Sequence, residues 1–539
     1  MVIKLFYEIK QLQLITTFSI LLFYSSCSYR SLKEEKAEPP NIIVIMVDDM
    51  GYSDIGSYGG EISTPNLDDL AANGLRFTNF YNAARCCPTR ASLLTGLYPH
   101  EAGMGGMVSS LESEPEPGPY QGFLNENCVT IAEVLSDAGY KTYMSGKWHV
   151  GEKKEHWPLQ RGFDRYFGLI SGASSYFEIL KEQPMTRQMA LDNQLWEPPQ
   201  EGFYMTDAIT DQAIHFLNEH QQNQDGKPFF LYVAYTAPHW PLHALEEDIQ
   251  KYKGKYSKGW DALREQRFKM MKNMGIIHDS YQLTPRTASI PAWEAVENKT
   301  EWERKMEVYA AMVDRMDQGI GKVINSLKIN KSYENTLILF LSDNGGSAEN
   351  IAGRKLNNPE VPIGFRGSYV AYEEPWANAS NTPFLKYKQW THEGGIATPL
   401  IAHWPEVIKE KGAITSQAGH VVDIMATCLD IGKVNYPEAY KDNKIKPVRG
   451  ESLLPVFEGN DLDKERTIYW EHLGNKALRK GNWKVVSAKP DNDWALYDLS
   501  QDPTELKNVS SQYPEIMLEL VMLYENWAKE VGVKPEDAD

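Results

Sequence analysis

Four apolar runs in this sequence each end in polar or charged residues, and this repeat sets the limits on the fold. The runs are NIIVIMVDDMG at residues 41–51, GYKTYMSGKWHVG at 139–151, KPFFLYVAYTAPHWP at 227–241 and TLILFLSDNGG at 336–346. A strand buried on both faces reads as a continuous apolar run, as strands of parallel sheets do. The repeat therefore predicts parallel strands inside a sheet, with polar groups at their carboxyl ends, where open α/β sheets bind ligands.

Helical patterns lie between these runs. In residues 301–327 apolar side chains recur at three- and four-residue spacing, which predicts an amphipathic helix packed on the sheet. Its apolar stripe consists of Met306, Tyr309, Val313, Met316, Ile320, Val323 and Leu327. Strand–helix alternation predicts one large α/β domain over residues 41–450, with a mixed β-sheet sandwiched by helices. Residues 451–539 predict short antiparallel strands and a closing helix, which form a smaller C-terminal α+β subdomain.

The composition limits the classes of partner. The net charge of −18 argues against a nucleic-acid-binding protein, because neutralising phosphates requires clustered Lys and Arg side chains. It does not argue against a small anionic substrate, since a few basic residues in a pocket outweigh a distant, screened acidic surface. The 42% of apolar residues is enough for a large core.

The N-terminal segment predicts export. Lys4 and Lys10 flank an apolar start, and LITTFSILLFYSS follows, a stretch of signal-peptide length that is short for a membrane span. Cys27 comes next, before a charged stretch, which resembles a bacterial lipoprotein signal. We therefore expect residues 1–27 to be an export signal, Cys27 to be lipidated and membrane-attached, and residues 28–40 to be a linker. The protein would then reside in the periplasm or on the outer membrane; an uncleaved membrane anchor is the alternative.

Two of the predicted strands end in hard oxygen donors. Asp48 and Asp49 follow the first run, and Asp343 and Asn344 follow the last. Holding two adjacent carboxylates at a buried site costs free energy unless a cation neutralises them. Oxygen ligands suit Ca²⁺ or Mg²⁺ rather than Zn²⁺. Each pair could instead cap a following helix, but the occurrence of both pairs at equivalent strand ends favours a metal site.

Two of the five cysteines, Cys86 and Cys87, are adjacent in the stretch NAARCCPTRASLLTG. A disulfide between neighbouring residues would strain the peptide unit and the disulfide geometry. The sequence also lacks a C-x-x-C motif and a dense disulfide framework. The adjacent pair therefore requires a different explanation.

The stretch Cys86-Cys87-Pro88-Thr89-Arg90, followed by Leu-Thr-Gly, resembles the Cys-x-Pro-x-Arg signature of the type I sulfatases. Thr89 stands where the family usually has Ser, and it keeps the hydroxyl group. Five further stretches resemble sulfatase blocks in the family's order: VDDMGYSDIG, GKWHVG, APHWP, SDNGG and YKQWTHEGGIATP. The resemblance runs from about residue 41 to the C-terminus and points to bacterial arylsulfatases and polysaccharide sulfatases. It implies the alkaline phosphatase-like sulfatase fold.

The resemblance also implies how the adjacent cysteines differ. In the family, a maturation enzyme oxidises the first Cys to formylglycine (3-oxoalanine), so Cys86 is the precursor of the nucleophile and Cys87 fills the variable position. One hydroxyl of the hydrated aldehyde would attack sulfur, and the other would then expel sulfate. The family places this hydrate on the metal, so Cys86 joins Asp48, Asp49, Asp343 and Asn344 as a metal ligand. Ca²⁺ is the implied ion, with Mg²⁺ as the second choice.

The remaining roles are carried over from the same motifs. Arg90 would stabilise the hydrated aldehyde, and His149 would assist its deprotonation. Lys147 and Lys388 would hold sulfate oxygens, and His239 would bind substrate and protonate the leaving alcohol. Lys386 competes with Lys388, but the spacing of Lys388 to Glu393-Gly394-Gly395 fits the family better. His392 and His472 are weaker candidates for substrate binding, and a structural role is the alternative for each histidine.

These features together predict a hydrolase of sulfate esters that acts on sulfated carbohydrates or aryl sulfates outside the cytoplasm. One alternative is a phosphodiesterase or phosphonate hydrolase of the same superfamily, although a single metal cradle disfavours a two-metal phosphatase. The other alternative is a non-catalytic homologue that binds sulfated glycans, which would predict eroded motifs. The loops at residues 104–120 and 252–298, and the region around His472, are expected to set substrate specificity.

Overall fold

The computed structural model describes residues 39–181, 187–223 and 225–535. The predicted export segment, including Cys27, lies outside the described residues. The described part of the chain contains the strands β1 (Asn41–Val47), β2 (Leu75–Tyr81), β3 (Lys141–Gly146), β4 (Arg165–Leu169), β5 (Met189–Leu191), β6 (Gln194–Leu195), β7 (Phe229–Ala234), β8 (Thr336–Ser342), β9 (Ala397–His403), β10 (Ala413–Thr415), β11 (Gly419–His420), β12 (Ala439–Tyr440), β13 (Asn443–Lys444), β14 (Thr467–His472), β15 (Asn475–Lys480), β16 (Trp483–Ser487) and β17 (Trp494–Asp498).

The α-helices of the same residues alternate with these strands. They are α1 (Pro65–Ala72), α2 (Cys86–Thr95), α3 (Ile131–Asp137), α4 (Met205–Asn223), α5 (Glu246–Gln250), α6 (Gly259–Asn273), α7 (Lys299–Ile329), α8 (Glu373–Ser380), α9 (Glu393–Ile396), α10 (Asp423–Gly432), α11 (Leu454–Phe457) and α12 (Pro514–Val531).

The central sheet has eleven strands in the order β10-β2-β9-β8-β1-β7-β3-β4-β5-β6, with β11 paired to β2. The four strands predicted from the apolar runs are neighbours, in the order β8-β1-β7-β3, and all of them are parallel. The sheet is mixed because β9 pairs antiparallel with both β8 and β2, and β5 pairs antiparallel with β4. Parallel neighbours end at the same edge, so the polar groups after these strands are brought together.

Both faces of the sheet are covered, as the continuous apolar runs require. Along β1, Ile43, Ile45 and Val47 belong to the core on one face. Ile42, Val44 and Met46 alternate with them and belong to the core on the other face. The predicted α/β class, with helices on both sides of a large mixed sheet, is confirmed.

The longest helix, α7, confirms the amphipathic helix expected at residues 301–327 and extends two residues beyond it at each end. Its apolar stripe is buried in the same core as Ile43 and Ile45. The stripe packs on the sheet because leaving so many large apolar side chains in water would cost about 25 cal/mol for each Å² exposed.

The C-terminal region forms a second, antiparallel sheet in the order β14-β15-β16-β17, with α12 packed against it. Contacts join the described residues from Pro40 onward into one compact unit. The division at residues 450 and 451 therefore stays a prediction about subdomain organisation. Among the residues that the structure describes, no helix combines the length and the apolar character that a membrane span requires.

Candidate active site

Carboxylates and an amide meet where β1 and β8 end. The backbone N–H of Asp49 donates to Asp343 Oδ1 at 3.3 Å, and Asn344 Nδ2 donates to Asp49 Oδ1 at 2.7 Å. Asp48 and Asp343 are fully buried, and the backbone of Asp49 is left-handed, with φ of 65°. The structure thus brings together the four oxygen-bearing side chains that the sequence places at the ends of these strands.

Three basic side chains are paired with these carboxylates. Lys147, which follows β3, lies 2.6 Å from Asp48 Oδ2. Lys388 lies 2.8 Å from Asp49 Oδ1. Arg90 donates from Nη2 to Asp343 Oδ2 at 2.7 Å and from Nη1 to the carbonyl oxygen of Lys147 at 3.1 Å. Each cation and its partner are buried, so the network replaces the solvation that these charges would have in water.

The loop that carries Lys388 reaches this edge of the sheet because its backbone packs closely against the backbone of the loop after Asn344. A Cβ atom at Gly345 would lie 1.9 Å from the carbonyl oxygen of Gly394, so only glycine fits there. The Gly345 N–H donates to the carbonyl of Gly395, and the Lys388 N–H donates to the carbonyl of Gly346. The glycines after Asn344 therefore let the two loops join.

The cysteine signature forms α2, and Cys86 is its first residue. Thr89 Oγ1 accepts from the N–H of Ala83, and Gly96 ends the helix in a left-handed conformation with φ of 68°. Both cysteines are buried and reduced. The pKa of the Cys86 thiol is well below its usual value, although burial opposes this shift. The largest cause is a hydrogen bond from the Cys87 thiol, and the positive charge of Lys147 adds to it. Cys86 is therefore chemically distinct from its neighbour.

Two histidines border this cluster. His239 lies 3.5 Å from Asp49 through Nε2, and its Nδ1 lies 2.6 Å from the carbonyl oxygen of Trp240. Burial lowers the pKa of His239 to about 4, although Asp49 opposes the shift. His149 lies 3.4 Å from Cys87 Sγ, and burial together with Lys147 lowers its pKa to about 3. Both imidazoles are accordingly neutral in this structure at neutral pH.

The weaker candidates are more scattered. His472, at the end of β14, is fully buried, and burial lowers its pKa to about 4. The charges of Arg85 and Cys86 also act on it, so it lies on the side of the site near the start of α2. Burial lowers the pKa of His392 to about 3, and the charges that add to this shift are those of Lys484 and Lys386 rather than of the carboxylate cluster. Lys386 lies 4.2 Å from the centre of the Trp390 ring. Of the two competing lysines, Lys388 is the one that the structure places in the cluster.

Sequence reasoning missed two charged residues of this site. Arg85 precedes Cys86 and pairs with Glu349 at 3.1 Å. Glu349 also accepts from Trp240 Nε1 at 2.6 Å and lies 3.5 Å from Lys388 Nζ. The available signals were the position of Arg85 directly before the signature and that of Glu349 in the polar loop after Asn344. Neither residue belongs to a motif whose chemistry requires it.

The oxygen donors fit a divalent cation. Asp48 Oδ1 and Asn344 Oδ1 are buried and have no hydrogen-bond partner among the described residues. Burial raises the pKa of Asp48. Burial, and to a smaller extent the negative charge of Asp48, raises the pKa of Asp343 well above its usual range. A cation held among these oxygens would relieve this cost and use the unpaired lone pairs. Hard oxygen donors favour Ca²⁺ or Mg²⁺.

The fold and this site together define an α/β enzyme whose active centre lies at the carboxyl ends of its parallel strands. Residues 40–434 match the family model described as Sulfatase, and residues 385–528 match the model described as N-sulphoglucosamine sulphohydrolase, C-terminal. The chain therefore belongs to the sulfatase family and is a sulfuric ester hydrolase.

Similar proteins cover nearly the whole chain. An uncharacterised sulfatase of Schizosaccharomyces pombe is 34% identical and aligns with 94% of this chain and 96% of its own length. The arylsulfatase of Klebsiella aerogenes is 35% identical, over 78% of this chain and 92% of its own. Among solved structures, Ps i-CgsB has a TM-score of 0.69 at 26% identity and covers 91% of this chain and 93% of its own. Its complex with k-i-k-neocarrahexaose has a TM-score of 0.68 at 27% identity, with the same coverage of both chains.

Proposed function

We propose that this enzyme hydrolyses sulfate esters to an alcohol and sulfate through a formylglycine that a maturation enzyme forms from Cys86. A divalent cation, Ca²⁺ in preference to Mg²⁺, would be held by Asp48, Asp49, Asp343 and Asn344 together with residue 86. The observation that carries the proposal is the position of Cys86. It is the buried first residue of α2, within range of Lys147 and of the carboxylates at the sheet edge.

The charges around Cys86 balance one another, so the site could accept a cation and a sulfate together. Four carboxylates, Asp48, Asp49, Asp343 and Glu349, are paired with four basic side chains, Arg85, Arg90, Lys147 and Lys388. A divalent cation bound to Asp48 and Asp49 would free the ammonium groups of Lys147 and Lys388 from their present partners. Both groups would then be available to sulfate oxygens, whose negative charge offsets that of the cation.

The chain's own residues divide the remaining work. When bound, the cation polarises a sulfate oxygen and the hydrated formylglycine provides the attacking hydroxyl. Arg90, fixed by Asp343, orients residue 86 from one turn further along α2. His149 would accept a proton from the hydrate. His239 Nδ1–H donates to the carbonyl of Trp240, so neutral His239 is unprotonated at Nε2. This nitrogen would first take up a proton from solvent, and the resulting imidazolium would donate it to the leaving oxygen.

We infer that the substrate is a sulfated carbohydrate or an aryl sulfate. The neocarrahexaose bound to Ps i-CgsB, at 27% identity, supports a glycan. The loop at residues 104–120 lies beside the signature, since Met107 Sδ is 3.9 Å from Cys87 Sγ. We propose that this loop and the β14–β15 turn near His472 contact the part of the substrate beyond the sulfate.

Turnover of a fluorogenic aryl sulfate by full-length protein co-expressed with a maturation enzyme tests the function. Peptide mass spectrometry across residues 84–90 should show Cys86 as the aldehyde or its hydrate. Cys86→Ala should lower kcat/KM by about 10³-fold or more, because it removes the nucleophile, whereas the matched Cys87→Ala should largely preserve it. A dead Cys87→Ala beside an active Cys86→Ala would overturn the assignment. Faster hydrolysis of the matched phosphate ester would instead favour the phosphodiesterase alternative.

The cation is tested separately. Asp343→Ala should weaken Ca²⁺ binding, measured by calorimetry, and lower kcat/KM in parallel, because it removes a ligand and the partner of Arg90. Loss of activity with unchanged Ca²⁺ affinity would refute Asp343 as a ligand.

We also propose that the protein is exported and attached to a membrane through a lipidated Cys27. The support is the N-terminal sequence, in which an apolar stretch precedes Cys27. Fractionation of cells that express the full chain should find it with membranes. Cys27→Ala should shift it to the soluble periplasmic fraction or leave it in an unprocessed precursor.

A further inference from the structure

Cys86, Cys87 and His149 form a second cluster of metal-ligating groups, distinct from the carboxylates. One ligand atom of each lies within 4.8 Å of the others, and all three residues are buried. Cys87 Sγ lies 3.4 Å from His149 Nε2 and 3.6 Å from Nδ1. The cluster exists because Cys occupies the variable position of the signature, directly after Cys86.

The sulfur and nitrogen ligands of this cluster are softer than the oxygen ligands of the carboxylate cluster. Thiolate and imidazole ligands select Zn²⁺ or Cu(I) over Ca²⁺ and Mg²⁺. On a tetrahedral zinc ion, with Zn–S of about 2.3 Å and Zn–N of about 2.0–2.1 Å, a sulfur and a nitrogen ligand lie about 3.5 Å apart. Cys87 Sγ lies 3.4 Å from His149 Nε2, which is close to that distance.

We propose that the unconverted polypeptide, in which Cys86 is still a thiol, binds one thiophilic metal ion of the Zn²⁺ type through Cys86, Cys87 and His149. Three protein ligands leave the fourth tetrahedral position open. This inference concerns the thiol form of the chain and does not depend on the hydrolytic reaction proposed above.

Metal binding requires both cysteines as thiolates. A bound metal ion displaces the thiol protons, so its affinity rises with pH. Conversion of Cys86 removes one of the two sulfur ligands. The same residues would then retain the thiophilic ion weakly, and the oxygen donors would dominate metal selection.

The test uses full-length protein expressed without a maturation enzyme, with Cys86 verified as a thiol by mass spectrometry. Zn²⁺ is titrated in the presence of excess Ca²⁺, which occupies the oxygen donors. Co²⁺ is used as a spectroscopic probe, since thiolate ligands give it a near-ultraviolet charge-transfer band. We expect one Zn²⁺ per chain and such a band. Cys86→Ser and Cys87→Ser should each weaken Zn²⁺ binding by about 100-fold and reduce the band.

Two controls separate this site from other thiols and from misfolding. Cys428→Ala changes a buried cysteine of α10 and should leave Zn²⁺ affinity unchanged. Converted wild-type protein, which needs no substitution to lose the Cys86 sulfur, should bind Zn²⁺ as weakly as Cys86→Ser. Undiminished Zn²⁺ affinity in both the converted protein and Cys87→Ser would overturn the proposal, as would a Co²⁺ complex without thiolate absorption.

Discussion

Glu349 connects three separate parts of the active site. Its carboxylate accepts from Arg85 at 3.1 Å and from Trp240 Nε1 at 2.6 Å, and it lies 3.5 Å from Lys388. Burial alone would raise its pKa, but Lys388 and Arg85 outweigh burial and hold the pKa of Glu349 well below its usual range. Glu349 therefore remains charged from neutral into acidic pH and fixes the position of Lys388, which the proposed function assigns to the sulfate.

Glu349→Gln keeps the shape of this side chain and removes its charge. We expect KM for an aryl sulfate to rise about tenfold, because charged hydrogen bonds contribute about 1.5–3 kcal/mol and Lys388 loses part of its support. The change in kcat should be smaller, since Glu349 does not touch Cys86. Steady-state kinetics measures both, with Glu360→Gln, an exposed carboxylate, as the control. A collapse of kcat at unchanged KM would place Glu349 in the reaction instead.

The contrast between Asp343 and Glu349 shows what the sequence can predict at this scale. Asp343 follows an apolar strand directly, so the direction of the strand determines where its carboxylate lies. Glu349 comes six residues later, in a loop without regular spacing. Its partners Arg85 and Trp240 come from distant parts of the chain. Their meeting depends on tertiary packing, which leaves no periodic signal in the sequence.

At the scale of elements, the C-terminal sheet supports the loop of the site that carries Lys388. Lys484 of β16 is fully buried and contacts Glu393 at 2.6 Å and Glu505 at 2.7 Å. Glu393 begins α9, five residues after Lys388. The Trp470 side chain of β14 donates to the carbonyl of Asn82 at 2.8 Å, close to the start of the signature stretch. The second sheet thus fixes two segments of the catalytic region.

Replacement of Lys484 by Met leaves two buried carboxylates without their shared cation. We expect Lys484→Met to lower the free energy of unfolding by about 3–5 kcal/mol, as the removal of one partner of a buried ion pair does. Lys480→Met is the matched control. Lys480 lies on the neighbouring strand β15 and pairs with Glu519 at the surface, so its loss should cost less than about 1 kcal/mol. Urea denaturation measures both variants, and equal losses would contradict a structural role for Lys484.

The types of the main elements could be predicted because their patterns are long and regular. The runs that became β1, β7 and β8 are unbroken apolar stretches of strand length, and the stripe of α7 has a single helical period. The short strands β10 and β11 and the four-residue helix α9 could not be predicted in this way. Their two to four residues are too few to establish a period, and their conformation is imposed by pairing with β2 or by the loop around Lys388.

At the scale of the whole molecule, one edge of one sheet gathers chemistry from most of the chain. Asp48, Lys147, His239 and Asp343 meet there because β8, β1, β7 and β3 are parallel neighbours, and α2 and the loop of Lys388 reach the same edge. Burial also encloses histidines outside the proposed catalytic set. His243, His403 and His420 each have a pKa lowered to about 4, with burial as the largest cause. The fold thus depends on several imidazoles remaining neutral.

His243 shows how this dependence sets stability against acid. Its Nε2 lies 2.7 Å from the carbonyl of Ser368, and its Nδ1 accepts from the N–H of Tyr176, so a proton on Nδ1 would oppose that donor. The unfolded state takes up the proton near pH 6.5 and the folded state only near pH 4. The contribution is therefore complete above pH 6.5 and is lost as the pH falls towards 4. It amounts to about 3 kcal/mol, since one pKa unit corresponds to about 1.4 kcal/mol.

His243→Gln should therefore flatten the acid limb of the stability curve. Gln can accept from Tyr176 and donate to Ser368 at every pH, so the variant has no proton to take up at this position. Between pH 7 and pH 4.5, we expect its free energy of unfolding, from urea denaturation, to fall by about 2–3 kcal/mol less than that of the wild type. His278→Gln, at an exposed histidine, should follow the wild-type curve. Parallel curves for wild type and His243→Gln would mean that His243 is already protonated in the folded protein, or that other groups dominate the acid transition.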